Sequence, residues 1–127
     1  MASNKLFVAG PIALTTTLTT NILNPGTTTG GVASTSAPFD KLQITIKHIR
    51  VTNKHASVAA TFNLFIGATG GNSAGTEIAF TQAVAVGASV DIYFPAGRVL
   101  TTSDFLVGGS NTATALTIMI MGEIGVA

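Results

Sequence analysis

Apolar and polar positions alternate with period 2 along most of this chain, and no long stretch keeps the 3.6-residue spacing of a helix. The clearest run is Val58, Ala60, Phe62, Leu64 and Ile66, which predicts a strand with one buried face. Before it, Leu42, Ile44 and Ile46 alternate with Gln43, Thr45 and Lys47, and then the apolar parity moves to Ile49 and Val51. A bulge near His48 accounts for that slip and leaves Lys47, Arg50 and Thr52 pointing outward.

Upstream, Leu14, Leu18 and Ile22 share one parity of a Thr-rich run, which predicts a half-buried first strand ended by Asn24, Pro25 and Gly26. The stretch from Thr27 to Pro38, rich in Thr, Gly and Ser, reads as a loop long enough to have a role or a contact. Downstream, Ile78, Phe80, Val84 and Val86 alternate, and Val90, Ile92 and Phe94 oppose Asp91 and Tyr93. Pro95, Ala96 and Gly97 are expected to break that strand, with short pieces at Arg98 to Leu100 and Phe105 to Val107. Leu116, Ile118 and Ile120 close the series, with Met119 and Met121 on the reverse side of a strand covered on both faces. About seven or eight strands of this length, separated by Gly/Asn/Pro loops, predict a single-domain, all-β, antiparallel sandwich of jelly-roll-like form. Residues 1–13 are expected to be an N-terminal arm and 14–127 the sandwich.

Length and composition sharpen this picture. A chain of 127 residues is one domain and removes about two thirds of its unfolded surface from water. With no cysteine, the fold stands on packing and hydrogen bonds alone. Charged residues make up 9% of the chain, against about 25% in a typical soluble domain, and the mean hydropathy is +0.55. Much of the surface is therefore Thr, Ser, Asn, Gly and Ala with some apolar side chains, a surface weakly protected against association.

The net charge of +1 argues against nucleic acid, whose binding rests on many phosphate contacts. Membrane readings fail as well. Ala115 to Met121 is far short of the roughly 20 apolar residues of a spanning helix, and one Tyr with no Trp gives no aromatic girdle for a barrel. Lys5 followed by Leu6 to Leu14 resembles a weak signal peptide, but Pro11 interrupts it and no small-residue cleavage site follows. The segment is expected to remain as an ordered arm.

Few residues suggest chemistry. The stretch GATGGNSAG, 67 to 75, lacks the Gly-Lys-Ser/Thr ending of a phosphate cradle and precedes a strand rather than a helix, so it reads as a loop. His48 and His55 lack a third ligand for zinc and read as a bulge residue and a turn residue. Asp40, Glu77, Asp91, Asp104 and Glu123 are scattered over separate elements, and no nucleophile motif frames a serine. No cofactor is expected, and an enzyme is disfavoured. The basic group Lys47, Arg50 and Lys54 holds half of the six Lys and Arg and has no stacking aromatics among its members, which favours acidic residues on a protein partner over a nucleic acid. The arm, with Lys5 and Phe7, and the loop from Thr27 to Pro38 are the other contact candidates.

The phrases IKHIRVTN, ATFNLFIG, GASVDIY and TALTIMIMGEI, in that order, resemble the small β-sandwich virion proteins of tailed bacteriophages. The similarity runs from about Leu14 to Ile124 and rests on strand order and short phrases rather than on a functional motif. It implies a jelly-roll-like sandwich that self-associates into dimers or trimers and docks on a major capsid protein as a decoration, or cement, subunit. It also implies synthesis in the host cytoplasm and a place on the capsid exterior. A tail or head-to-tail connector subunit shares the same features. A carbohydrate-binding sandwich is the alternative from another class, weakened by the absence of Trp for stacking on sugars.

Overall fold

The structure, a computed structural model, describes residues 5–24, 42–72, 74–101 and 103–126. In chain order the strands are β1 (Lys5–Ala13), β2 (Asn21–Leu23), β3 (Leu42–Asn53), β4 (Ala60–Gly67), β5 (Glu77–Val84), β6 (Ser89–Leu100), β7 (Phe105–Ser110) and β8 (Leu116–Val126). They form two four-stranded sheets, sheet A in the order β1-β8-β3-β6 and sheet B in the order β2-β7-β4-β5. All the pairings are antiparallel. Each sheet thus interleaves early and late strands, the double Greek key of a jelly roll.

The core lies between the sheets. Ile44, Ile46, Ile49 and Val51 of β3 and Ile118 and Ile120 of β8 face Phe62 and Leu64 of β4 and Leu106 of β7, all without solvent exposure. Each such side chain contributes about 1.5–3 kcal/mol relative to an exposed one. β3 keeps its apolar face inward despite the parity slip because Lys47 is bulged: on β8, Ile46 pairs with Gly122 and His48 with Met121. β8 follows with Ile124 buried after Gly122, while Met119 and Met121, expected to be covered, are half-buried on the outer face.

Several boundaries differ from the sequence pattern. Of the segment expected as an ordered N-terminal arm, Lys5–Ala13 form β1, paired with β8 from Lys5↔Ile124 to Ala13↔Thr117. Pro11 does not end it, because β1 is an edge strand and its outer side needs no ladder hydrogen bond. The Thr-rich run from residue 14 is instead a turn, closed by Thr20 N–H to the Thr17 carbonyl at 3.3 Å and by the Thr15 and Thr20 hydroxyls at 2.7 Å. That turn packs on β7 through Ser110 N–H to Thr15 O and Gly108 N–H to Thr20 O. A Cβ on Gly109 would lie 2.6 Å from Thr15 O and 2.7 Å from Thr17 O, so a glycine is required for the turn to seat.

β6 also runs through Pro95 and Gly97 rather than breaking. Opposite the single bulged Lys47, it inserts Phe94 to Gly97 between the pairs His48↔Tyr93 and Ile46↔Arg98. As the other edge of sheet A it tolerates both the proline and the bulge. In β5 the alternation fails at Thr81, whose φ is 50°: Phe62 pairs with Gln82 and Leu64 with Ala79, and the extra residue turns Phe80 outward. Val58, expected on the inner face, is exposed in the loop before β4, and Val86 is exposed after β5.

Candidate functional site

The pairing of sheet A sets its outer face in rows that cross all four strands. One row is Val8, Met121, His48 and Tyr93, and the next is Leu6, Glu123, Thr45 and Val99. With strands about 4.8 Å apart, each row is about 14 Å wide. At the β1 end Leu6 is 92% and Val8 60% exposed, and at the β6 end Tyr93 is 65% exposed with Val99 beside it. Four apolar or aromatic side chains thus lie in the open on one sheet face, two at each edge of it.

A polar cluster sits within the face on its β3 and β6 side. His48 Nε2 lies 2.8 Å from Asp91 Oδ1, and since a carboxylate only accepts, the bond places a proton on Nε2. Arg50 Nε is 3.7 Å from the same oxygen, an ion pair set by the register Arg50↔Asp91. The other side of the imidazole is taken by Tyr93, stacked on it at 4.4 Å between centroids. Two neighbours on β6, Asp91 and Tyr93, thus hold the histidine, Arg50 holds the same carboxylate, and the histidine in turn fixes the exposed tyrosine.

The residues singled out in the sequence do not form one cluster. Lys47 and Arg50 are exposed on the outer side of β3. Lys54 lies past the end of the strand, its N–H bonded to Ala115 O, and at the rise of an extended chain it stands about 20 Å from Lys47. Phe7 is a core residue, 9% exposed: β1 turns it inward between the outward Leu6 and Val8, so it is not a surface contact. The backbone of Lys5 pairs with Ile124. The loop from Thr27 to Pro38 and arm residues 2 to 4 lie outside the described residues.

His55 accepts the N–H groups of Ser57 and Val58 at Nδ1, a turn role. Among the described residues no three His, Asp or Glu gather as a metal site. The glycine-rich stretch joins β4 to β5 and is pinned by Asn21, which donates to Thr69 Oγ1 and accepts from Gly70 N–H. Leu6, Val8, Asp91 and Tyr93 were not recognisable as site residues. The alternation marked Asp91 and Tyr93 as outward, but only the strand order places them beside His48 and Arg50.

No family model matches the chain, and neither does any curated protein. A solved chain of Desmodium yellow mottle tymovirus is similar to it. The two superpose with a TM-score of 0.57 at 12% identity, over 99% of this chain and 86% of that one. At this identity the likeness concerns the fold alone, an antiparallel sandwich of two sheets.

Proposed function

We propose that this chain is a virion structural protein and, within that role, a capsid decoration (cement) subunit of tailed-bacteriophage type that docks on the major capsid protein from outside. The observation that carries the proposal is the outer face of sheet A: a sandwich similar in fold to a tymovirus chain, with 9% charged residues, leaves Leu6, Val8, Tyr93 and Val99 uncovered on one side. A surface of that kind is at its lowest free energy against another protein. A subunit that touches several neighbours strengthens a shell by adding many modest contacts, which effective concentration makes cooperative. Self-association into a dimer or trimer multiplies those contacts and belongs to the same proposal.

The test uses purified particles of the virus that encodes the chain, stripped of it and then supplied with the recombinant protein. Saturable occupancy together with a higher temperature of genome release is the expected result. Particles that neither contain nor take up the protein would refute it. A second reading, that the chain builds the shell itself, is favoured by the share of the tymovirus chain it matches, 86%. Electron microscopy of the concentrated protein separates the two, since a shell subunit forms closed particles alone and a decoration subunit does not.

A further inference from the structure

The basic residues are unevenly placed. Lys47 and Arg50 lie on the β3–β6 half of the outer face with one carboxylate, Asp91, while Arg98 pairs with the inward-facing Ile46 and the other outer carboxylate, Glu123, stands on β8. Two of the six Lys and Arg and one of the five Asp and Glu give this half-face a charge of +1. Inside the patch Asp91 is already occupied by His48 and Arg50, so the uncompensated charge is positive. The bulge carries Lys47 outward, and its ammonium stands where a Cβ on Gly97 would meet it at 3.3 Å.

We infer that this half-face is a docking hot spot for a carboxylate-bearing protein surface, with Tyr93 as its anchor, Arg50 and Lys47 as the groups that receive carboxylates, and His48 and Asp91 as positioning residues. The inference rests on the docking role proposed above and specifies its partner's chemistry. Tyr and Arg are the residues over-represented at the energetic centres of interfaces, where a large ring gives area at little cost in ordering. Tyr93 is already ordered, stacked on an imidazole that is itself bonded to Asp91, so binding loses little side-chain freedom. Asp91 engages Arg50 at Nε and leaves the terminal guanidinium donors to form a bidentate contact with an incoming carboxylate. Two outward cations are too few for phosphate-driven binding, whereas they suffice to orient a protein partner. Leu6 and Val8, two strands away on the same rows, extend the contact with apolar area.

Two measurements test this. In the first, the 15N-labelled protein is titrated with a Glu/Leu peptide, with the same peptide bearing Lys in place of Glu, and with a thymidine oligonucleotide of equal length. Saturable shifts concentrated at residues 47–50, 91–93 and 98–99 with the acidic peptide alone are expected, weakened by salt. Tyr93→Ser lowers that affinity about tenfold, the loss typical of an interface anchor, and Phe80→Ser, at an equally exposed ring on sheet B, leaves it unchanged. Shifts spread over the surface, an equal response to the oligonucleotide, or a neutral Tyr93→Ser would overturn the inference. In the second, stripped particles are offered the wild type and a variant carrying Arg50→Glu and Tyr93→Ser whose far-UV dichroism is native. Loss of occupancy by the variant alone supports the hot spot. Equal occupancy removes the hot spot and keeps the docking role. Failure of the wild type to bind removes the docking role, and the hot spot, which rests on it, falls with it.

Discussion

The imidazole of His48 lies flat against the phenol ring of Tyr93, with centroids 4.4 Å apart and planes 10° from parallel. The contact joins β3 to β6 directly beside the bulges in both strands, where ladder hydrogen bonds are interrupted. It therefore stabilises the weakest stretch of that pairing. His48→Ala is expected to cost about 1–2 kcal/mol, combining a stacked pair and a charge-assisted hydrogen bond. Tyr93 is the one tyrosine of a chain without tryptophan, so intrinsic fluorescence reads it alone. Acrylamide quenching should rise in His48→Ala and stay at the wild-type level in His55→Ala.

Asn53 is the polar residue on which the end of β3 depends. Buried to 1% exposure, it donates from Nδ2 to the carbonyls of Val58 and Val84 and accepts the His55 N–H at Oδ1. Val58 is exposed and its carbonyl can turn to water, but the Val84 bond is buried. Asn53→Ala should therefore lower stability by about 2 kcal/mol in urea denaturation. Asn53→Asp should lower it further, since it keeps the acceptor, loses both donors and places a carboxylate against a buried carbonyl.

Two phenylalanines with the same sequence signature should behave in opposite ways. Phe62 is fully buried and Phe80 is 69% exposed. Phe62→Ala is expected to cost about 3–5 kcal/mol, and Phe80→Ser to stay within about 0.5 kcal/mol. Thermal or chemical unfolding of the pair checks the inward and outward assignment on both sides of the β5 bulge.

Gly122 marks a backbone crossing. A Cβ there would overlap the Thr45 carbonyl oxygen and approach Ile46 Cα at 3.2 Å, because β8 closes on β3 beside the Lys47 bulge. Main chain cannot yield as a side chain does, so Gly122→Ala should cost roughly 3 kcal/mol or more, at the upper end of overpacking changes. Soluble yield and the unfolding midpoint check this, measured beside Ala74→Ser, which changes an exposed residue in the loop before β5 and should leave both unchanged.

Period 2 carried the fold class, because a sandwich buries one face of every strand and the alternation of β3, β4 and β8 states this directly. The bulge, expected near His48 and found at Lys47, was legible for the same reason, since a slip of parity has no other inexpensive geometry. Edge strands were the places where the pattern misled. Pro11 and Pro95 read as terminators, yet β1 and β6 continue past them because an edge needs its hydrogen bonds on one side only. The Thr run at residues 15–20 alternates like a strand but closes on itself through its own hydroxyls. At the site, Lys47 and Arg50 were visible as outward cations, while Lys54 drops out because seven residues of extended chain separate it from Lys47. Asp91, Tyr93, Leu6 and Val8 depend on which strands are neighbours, and strand order is not encoded in the alternation of any one strand.

The proposed role as a docked virion subunit is tested most directly by a reconstruction, from electron cryomicroscopy, of the particle whose genome encodes this chain. It should contain the sandwich in a fixed ratio to the major capsid protein, with Leu6, Val8 and Tyr93 of sheet A covered by a neighbouring subunit. A particle without the chain, or one in which the outer face of sheet A looks onto solvent in every copy, would contradict it.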